Sequence, residues 1–117
     1  MFRHAFISNH CLVLADGYYE WRTERGNKRP YRFVLRNRAP FAMAGIWEPA
    51  DHDDEPPTFS ILTTTANELA AAVHDRMPVI LPMNYEQRWL TETGYGAHLN
   101  LPLAYPAGAM ECYSVTP

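Results

Sequence analysis

The sequence contains few cysteines, and they lie far apart. Cys11 and Cys112 are the two cysteines among 117 residues, and no Cys-x-x-Cys pair is present. This pattern is not that of a zinc site or a disulfide framework, and we expect both thiols to be reduced and packed as small apolar groups. We expect no metal and no cofactor, because four of the histidines also show no ligand spacing: His4, His10, His52 and His98.

Long apolar runs are absent as well. No stretch approaches the roughly 18 residues that a membrane span needs, and residues 1–10 are too polar for the core of a signal peptide. A composition of 47% hydrophobic and 20% charged residues is typical of a chain that folds. We expect a cytosolic protein without membrane contact, built as a single domain over residues 1–117.

The charge is unevenly distributed although the net charge is only −3. Residues 1–38 hold eight of the ten Lys and Arg residues with three acidic residues, whereas residues 39–117 hold two bases and ten acids. A basic first third suits a polyanionic partner. The alternative is a solvated hairpin whose basic side chains discourage aggregation.

Short alternating apolar segments dominate the chain and predict an α+β, strand-rich fold. The expected architecture is a curved or barrel-like mixed sheet with a few short helices. Residues 23–29 form a polar loop with Gly26-Asn27 at its tip, which indicates a hairpin. Strands are expected at residues 11–14, 18–22, 31–36, 41–47, 58–64 and 111–115, an extended segment at 78–82, and helices at 66–73 and 84–91.

Glu20 is the first candidate for chemistry, because it lies among the aromatic residues of an alternating strand. An apolar setting suits a carboxyl group that acts as a general acid or base. The alternative is an exposed glutamate paired with Arg22 or Arg32. Its neighbour Trp21 could stack on a nucleobase or belong to the core, although Trp47 and Trp89 fit a core role better.

His74 is the second candidate, since it directly follows an expected helix, where site residues are frequent. A histidine that caps the helix is the alternative. Arg76 could bind a phosphate with two hydrogen bonds or pair with Asp75 or Glu68. Thr63, at the end of an expected strand, could help to hold a phosphate or be an ordinary strand residue.

Together these segments resemble the SRAP family, the SOS response-associated peptidase-like proteins that act on abasic sites in single-stranded DNA. The match spans nearly the whole chain in the order and spacing of the family. Its two most specific parts are ADGYYEW and HDRMPVIL. The matching segments are FRHAF (residues 2–6), CLVLADGYYEW (11–21), AGIW (44–47), FSILTT (59–64) and HDRMPVIL (74–81).

The resemblance implies a mechanism and a set of site residues. In this family a cysteine at position two reacts with the abasic aldehyde and closes a thiazolidine, which gives a covalent protein–DNA link. Glu20 and His74 would assist the proton transfers of that chemistry and of a peptidase reaction. Trp21, Thr63 and Arg76 would line the groove for single-stranded DNA, and the expected location is the bacterial cytosol or nucleoid.

The chain departs from the family pattern at its beginning, because residue 2 is Phe2 and not a cysteine, and Met1 aligns with an interior point of the family domain. An early asparagine-containing segment is also not found, so residues 1–117 are expected to represent the C-terminal two-thirds of the domain. We therefore expect no thiazolidine crosslink, and whether the chain acts as an enzyme stays open. Uncovered sheet edges would favour a homo-oligomer.

Two other interpretations remain at this point. The chain could be a non-catalytic remnant that binds single-stranded DNA through Trp21, Arg76 and the basic residues 22–38. It could also be a structural or interaction module whose site has decayed. A metal-dependent hydrolase is disfavoured because no ligand cluster is evident.

Overall fold

A computed structural model describes residues 8–92 and 104–115 of the chain. Strands dominate, which confirms the expected strand-rich α+β class, and the sheets are curved and do not close into a barrel. The strands are β1 (His10–Ala15), β2 (Tyr18–Glu24), β3 (Asn27–Leu35), β4 (Phe41–Glu48), β5 (Thr58–Ile61), β6 (Thr63–Thr65), β7 (Arg76–Pro78), β8 (Ile80–Leu81) and β9 (Met110–Ser114).

The described strands form three antiparallel groups. One sheet has the order β1-β4-β5, with β8 also paired to β4, and a second has the order β2-β3-β9. The third group is the pair β6-β7. Within the described ranges, β2 and β9 are the outer strands of their sheet, so the segment that carries Glu20 lies at a sheet margin.

A two-residue turn joins β2 and β3. Arg25 and Gly26 both have positive φ angles, 50° and 82°, as the type I′ turn that suits hairpins requires. Glu24 pairs with Asn27 on either side of this turn. The expected hairpin is therefore present, but its tip is Arg25-Gly26 and not Gly26-Asn27, because both strands continue through the polar segment.

Strand β4 is buried on both faces and separates two apolar clusters. Phe41 and Met43 pack into one cluster and Ala44 and Ile46 into the other, as the two-residue period of a strand requires. Burial on both faces explains the nearly continuous apolar sequence of this segment. The first cluster also contains Phe33, Leu35, Ala70, Met77, Ile80 and Met110, and the second contains Val79, Leu81 and Trp89.

Two α-helices cover these clusters. α1 (Glu68–Ala71) is shorter than the expected 66–73, and the side chain of Asn67 caps it by accepting from the N–H of Ala70. α2 (Met83–Thr91) follows Pro82 and begins one residue before the expected 84–91. A 3₁₀ turn (Ala107–Ala109) precedes β9. No helix among residues 8–92 and 104–115 is long and apolar enough to span a membrane.

Candidate active site

Glu20 and His74 lie together in the structure. Glu20 is on β2, and His74 is in the segment between α1 and β7. Nδ1 of His74 lies 4.0 Å from Oε2 of Glu20, and the two side chains are 44% and 30% exposed. A histidine and a carboxylate that face each other and remain accessible to solvent have the composition of a proton-transfer site.

Nδ1 of His74 has a partner in both protonation states of the ring. In the neutral ring it can accept from the backbone N–H of Arg76 at 3.2 Å, which leaves the proton on Nε2. When Nδ1 is protonated it can donate to the carbonyl of Arg76 at 3.3 Å, and the carboxylate of Asp75 lies 3.5 Å away. Nδ1 can therefore form a hydrogen bond either as an acceptor or as a donor.

Arg76 is held by Thr63 across the β6-β7 pair. Its Nη2 donates to the carbonyl of Thr63 at 2.9 Å and to Oγ1 of Thr63 at 3.1 Å. Neither Asp75 nor Glu68 forms an ion pair with it in the described part of the chain, so that alternative is wrong. Because His74 bonds to the backbone of Arg76, the structure connects Glu20, His74, Arg76 and Thr63 in one group.

Trp21 points to the opposite face of β2 from Glu20. Successive strand residues alternate between faces, and Trp21 is half-exposed, so it is not a core tryptophan. Glu20 and Trp21 can contact one ligand only if it passes over the margin of β2. Of the two tryptophans expected in the core, Trp89 is fully buried, whereas Trp47 is exposed, so the expectation for Trp47 is wrong.

The two arginines that were the alternative partners of Glu20 form ion pairs with other carboxylates. Arg22 pairs with Glu24 at 3.8 Å, and Arg32 pairs with Asp16 at 3.2 Å. Both arginines are thus engaged by neighbours, and the carboxylate of Glu20 faces His74 instead. The backbone N–H of His74 does bond to the carbonyl of Ala70 at the end of α1, while its ring faces the site.

Tyr18 is a residue near the site that the sequence did not single out. Its ring stacks on Phe33 with centroids 4.8 Å apart, and its buried hydroxyl has no hydrogen-bond partner among the described residues. Burial, followed by the negative charge of Glu20 and that of Cys112 when it ionises, raises the pKa of Tyr18 well above its ordinary range. The phenol is therefore neutral beside Glu20 at physiological pH.

The cysteines and histidines do not assemble a metal site in the part of the chain that is described. No group of three or more His, Cys, Asp or Glu side chains there could hold a metal ion. Cys11 and Cys112 are free and partly buried, and burial raises the pKa of both thiols. His10 stacks on Trp89 with centroids 3.7 Å apart, which is a packing role.

The chain is similar in sequence to one known protein family over its full length. The family model described as SOS response associated peptidase (SRAP) matches residues 1–117. The chain is 41% identical to abasic site processing protein YoaM of Bacillus subtilis (strain 168), over 98% of this chain and 53% of the relative. It is 34% identical to abasic site processing protein HMCES of Gallus gallus, over 68% and 30%. The chain spans about half the length of YoaM.

Solved structures share the fold. A protein from Bacteroides thetaiotaomicron superposes with a TM-score of 0.88 at 33% identity, covering 98% of this chain and 53% of that one. A protein from Bordetella bronchiseptica gives a TM-score of 0.89 at 31% identity, covering 99% and 59%.

Proposed function

Because this chain belongs to the SRAP family, we propose that it carries the proton-transfer part of a site that processes abasic sites in single-stranded DNA. The observation that carries the proposal is the approach of His74 to Glu20 within 4.0 Å on an accessible surface. The relatives are named abasic site processing proteins. We propose abasic DNA as the substrate of this chain too, together with a role in the DNA damage response and a location at the bacterial nucleoid.

The chemistry of an abasic aldehyde needs both an acid and a base. An amine that adds to the aldehyde gives a carbinolamine; its hydroxyl leaves as water after receiving one proton, and the nitrogen loses another. His74 and Glu20 can supply and accept these protons. The family resemblance places the amine and a thiol on an N-terminal cysteine. The peptidase reaction in the family description would use the same pair.

The groups around the pair suit a DNA strand. Arg76 presents a guanidinium whose position is fixed by Thr63, and a guanidinium held in place binds phosphate without much further loss of entropy. Trp21 offers an accessible indole, which can stack on any base. Phosphate and base contacts would hold the strand while Glu20 and His74 face the opened sugar.

The test supplies the amine and thiol in solution. The chain is incubated with free cysteine and a single-stranded oligonucleotide that contains one abasic site, and thiazolidine formation on the DNA is followed by mass. We expect the chain to accelerate this condensation over cysteine alone. Glu20→Gln and His74→Gln should each remove the acceleration, which for one acid or base amounts to roughly 100-fold.

Two exposed loop residues provide matched controls. Glu55→Gln and His52→Gln remove the same chemical groups from a segment outside the site, and both variants should retain the full rate. Binding of the abasic strand without any acceleration would overturn the catalytic proposal and favour the non-catalytic DNA-binding interpretation. Equal rates in the Glu20 and His74 variants and the wild type would also overturn it.

A further inference from the structure

The second face of the β2-β3-β9 sheet carries a row of exposed aromatic and guanidinium groups. Tyr19 on β2 is paired in register with Arg32 on β3, which is paired in turn with Tyr113 on β9. Residues in register share one face of a sheet. Tyr19 is 54% and Trp21 50% exposed, and Tyr113 is exposed as well, which is a large apolar area to leave in water.

Polar contacts fix the middle of this row. Nη1 of Arg32 donates to the hydroxyl of Tyr113 at 3.0 Å, and Nη2 donates to Asp16 at 3.2 Å. The guanidinium is therefore held between the hydroxyl of Tyr113 and the carboxylate of Asp16. Gly17 leaves the room for it, because a Cβ atom at Gly17 would lie 2.9 Å from Arg32 Nε.

The row continues beyond β9 into an open cleft of about 770 Å³. Arg36 and Arg38 line it, and both pair with the single carboxylate of Glu111, at 3.5 and 2.7 Å. Arg38 also lies over the ring of Tyr113, with Cζ 5.9 Å from the centroid. Two cations on one anion leave a net positive charge at this end.

We propose that this face is a stacking surface for single-stranded nucleic acid, with Tyr19 and Tyr113 each holding one base. Two strand spacings separate the rings by about 10 Å, which leaves room for two splayed bases with a phosphate beside Arg32. Aromatic rings on an open sheet are a known way to bind unpaired bases. The choice of nucleic acid as the occupant rests on the proposed function, since Glu20 lies between Tyr19 and Trp21 in the same strand.

The surface extends the binding site to the side of the sheet opposite His74. A DNA strand that passes over the margin of β2 would place its abasic position beside Glu20 and its neighbouring bases on the aromatic row. Trp21 would lie where the DNA turns from one face of the sheet to the other. The predicted footprint therefore includes nucleotides that never reach the proton-transfer pair.

Another exposed aromatic pair lies in a different sheet from Arg32 and Tyr113. Trp47 and Phe59 are paired in register on β4 and β5, and both are exposed. The segment that joins their strands is acidic, with Asp51, Asp53, Asp54 and Glu55. Acidic surroundings repel phosphate, so Trp47 and Phe59 serve as a control of matched chemical character.

The test uses a fluorescein-labelled thymidine 12-mer without any abasic site. Its affinity for the chain is measured by anisotropy, with thermal unfolding as the check that each variant is folded. We expect Tyr19→Ala and Tyr113→Ala each to weaken binding about tenfold, within the range for loss of one base–aromatic stack. Tyr19→Phe should keep the wild-type affinity, and Trp47→Ala and Phe59→Ala should do the same.

The salt dependence of the binding constant is an independent test of the proposed surface. One or two phosphates neutralised on this surface predict a slope of log K against log salt of roughly −0.7 to −1.4 for a single strand. Equal affinity of the folded tyrosine variants and the wild type would overturn the proposal, and so would equal losses in the Trp47 and Phe59 controls. Tighter binding of a fully paired duplex would also overturn it.

The same data separate this inference from the proposed function. Binding of the lesion-free 12-mer through the tyrosines, without any accelerated condensation at abasic DNA, would retain the stacking surface and reject the catalytic role. Accelerated condensation combined with unchanged affinity of the tyrosine variants would do the reverse.

Discussion

Nδ1 of His74 and Oε2 of Glu20 lie 4.0 Å apart, each on a different structural element. This separation exceeds a direct hydrogen bond, and a water molecule or a small rotation of either side chain closes it. Catalytic hydrogen bonds are often long before a substrate binds. The pair is thus arranged to exchange protons with a ligand more readily than with each other.

Shortening Glu20 tests whether this spacing matters. Glu20→Asp withdraws the carboxylate from His74 by about one bond length while keeping its charge, and a displacement of that size can lower a rate by up to about 100-fold. We expect the cysteine condensation rate to fall at least tenfold with little change in abasic-DNA affinity. The control is Glu55→Asp, which should have the wild-type rate. A wild-type rate for Glu20→Asp would contradict a positional role.

Arg76→Lys tests the phosphate site. Lysine keeps the positive charge but cannot reproduce the forked bonds that Arg76 makes to Thr63. We expect affinity for single-stranded abasic DNA to fall roughly tenfold to 100-fold, the cost of one charge-assisted hydrogen bond. Arg88→Lys on α2 is the matched control, and an equal loss there would show a general charge effect.

Tyr18→Phe tests the buried hydroxyl. Because that oxygen has no partner among the described residues, its removal should raise the free energy of unfolding at pH 7 by about 1 kcal/mol. The folded-state pKa of Tyr18 is raised, so the unfolded chain ionises first, near pH 10. Stability is therefore complete below that pH and is lost as pH rises toward the folded-state pKa.

Urea unfolding at pH 7 and at pH 10.5 measures both effects. The Phe variant should lose less stability between the two pH values than the wild type does. Tyr19→Phe alters an exposed ring and should follow the wild type at both. A lower unfolding free energy for Tyr18→Phe at pH 7 would mean that the hydroxyl has a stabilising contact.

Gly45→Ala tests the approach of β1 to β4. A Cβ atom at this position would lie 2.8 Å from Sγ of Cys11 and 3.0 Å from Cγ2 of Val13. Overpacking of this kind costs about 1–3 kcal/mol, which urea unfolding would detect. Adding Cys11→Ala removes the closer clash, so the double variant should lose less stability than the sum of the single changes. Simple additivity would show that Cys11 is not the obstacle.

Strand β5 is the surface through which we expect the chain to self-associate. All four of its residues are exposed, none is charged, and an outer strand of this kind readily pairs with another copy. We propose a homo-oligomer through this strand, with sedimentation velocity as the measurement. Phe59→Lys should shift the chain to monomer, whereas Leu14→Lys, at another exposed apolar position, should not. A monomeric wild type would reject the idea.

The sequence was sufficient where a local rule decides the structure. The alternating residues 18–22 and the apolar residues 41–47 predicted the strands that the structure shows as β2 and β4. The tip of the hairpin was misplaced because Gly-Asn is a strong local signal, yet the pairing of Glu24 with Asn27 fixed the turn at Arg25-Gly26. The register of the whole strand pair therefore outweighed the local turn preference of Gly26-Asn27.

Contacts between distant segments could not be read from local patterns. Trp47 suited a core, but its partner in register is Phe59 on an exposed outer strand, so it stays in contact with water. Arg76 had acidic neighbours in sequence, yet the β6-β7 pair brings it to Thr63 instead. The approach of Glu20 to His74 was implied by resemblance to the family and by no single-residue signal.

The two-residue turn at Arg25-Gly26 also has an evolutionary consequence. It fixes which residues of β2 face His74 and which face the opposite side, so one inserted residue in the strand would exchange Glu20 with an aromatic neighbour. Substitutions on either face can accumulate one at a time, whereas an odd-numbered insertion disrupts both faces at once. Insertions and deletions among related sequences should therefore be rare in the hairpin and more frequent in the acidic segment before β5.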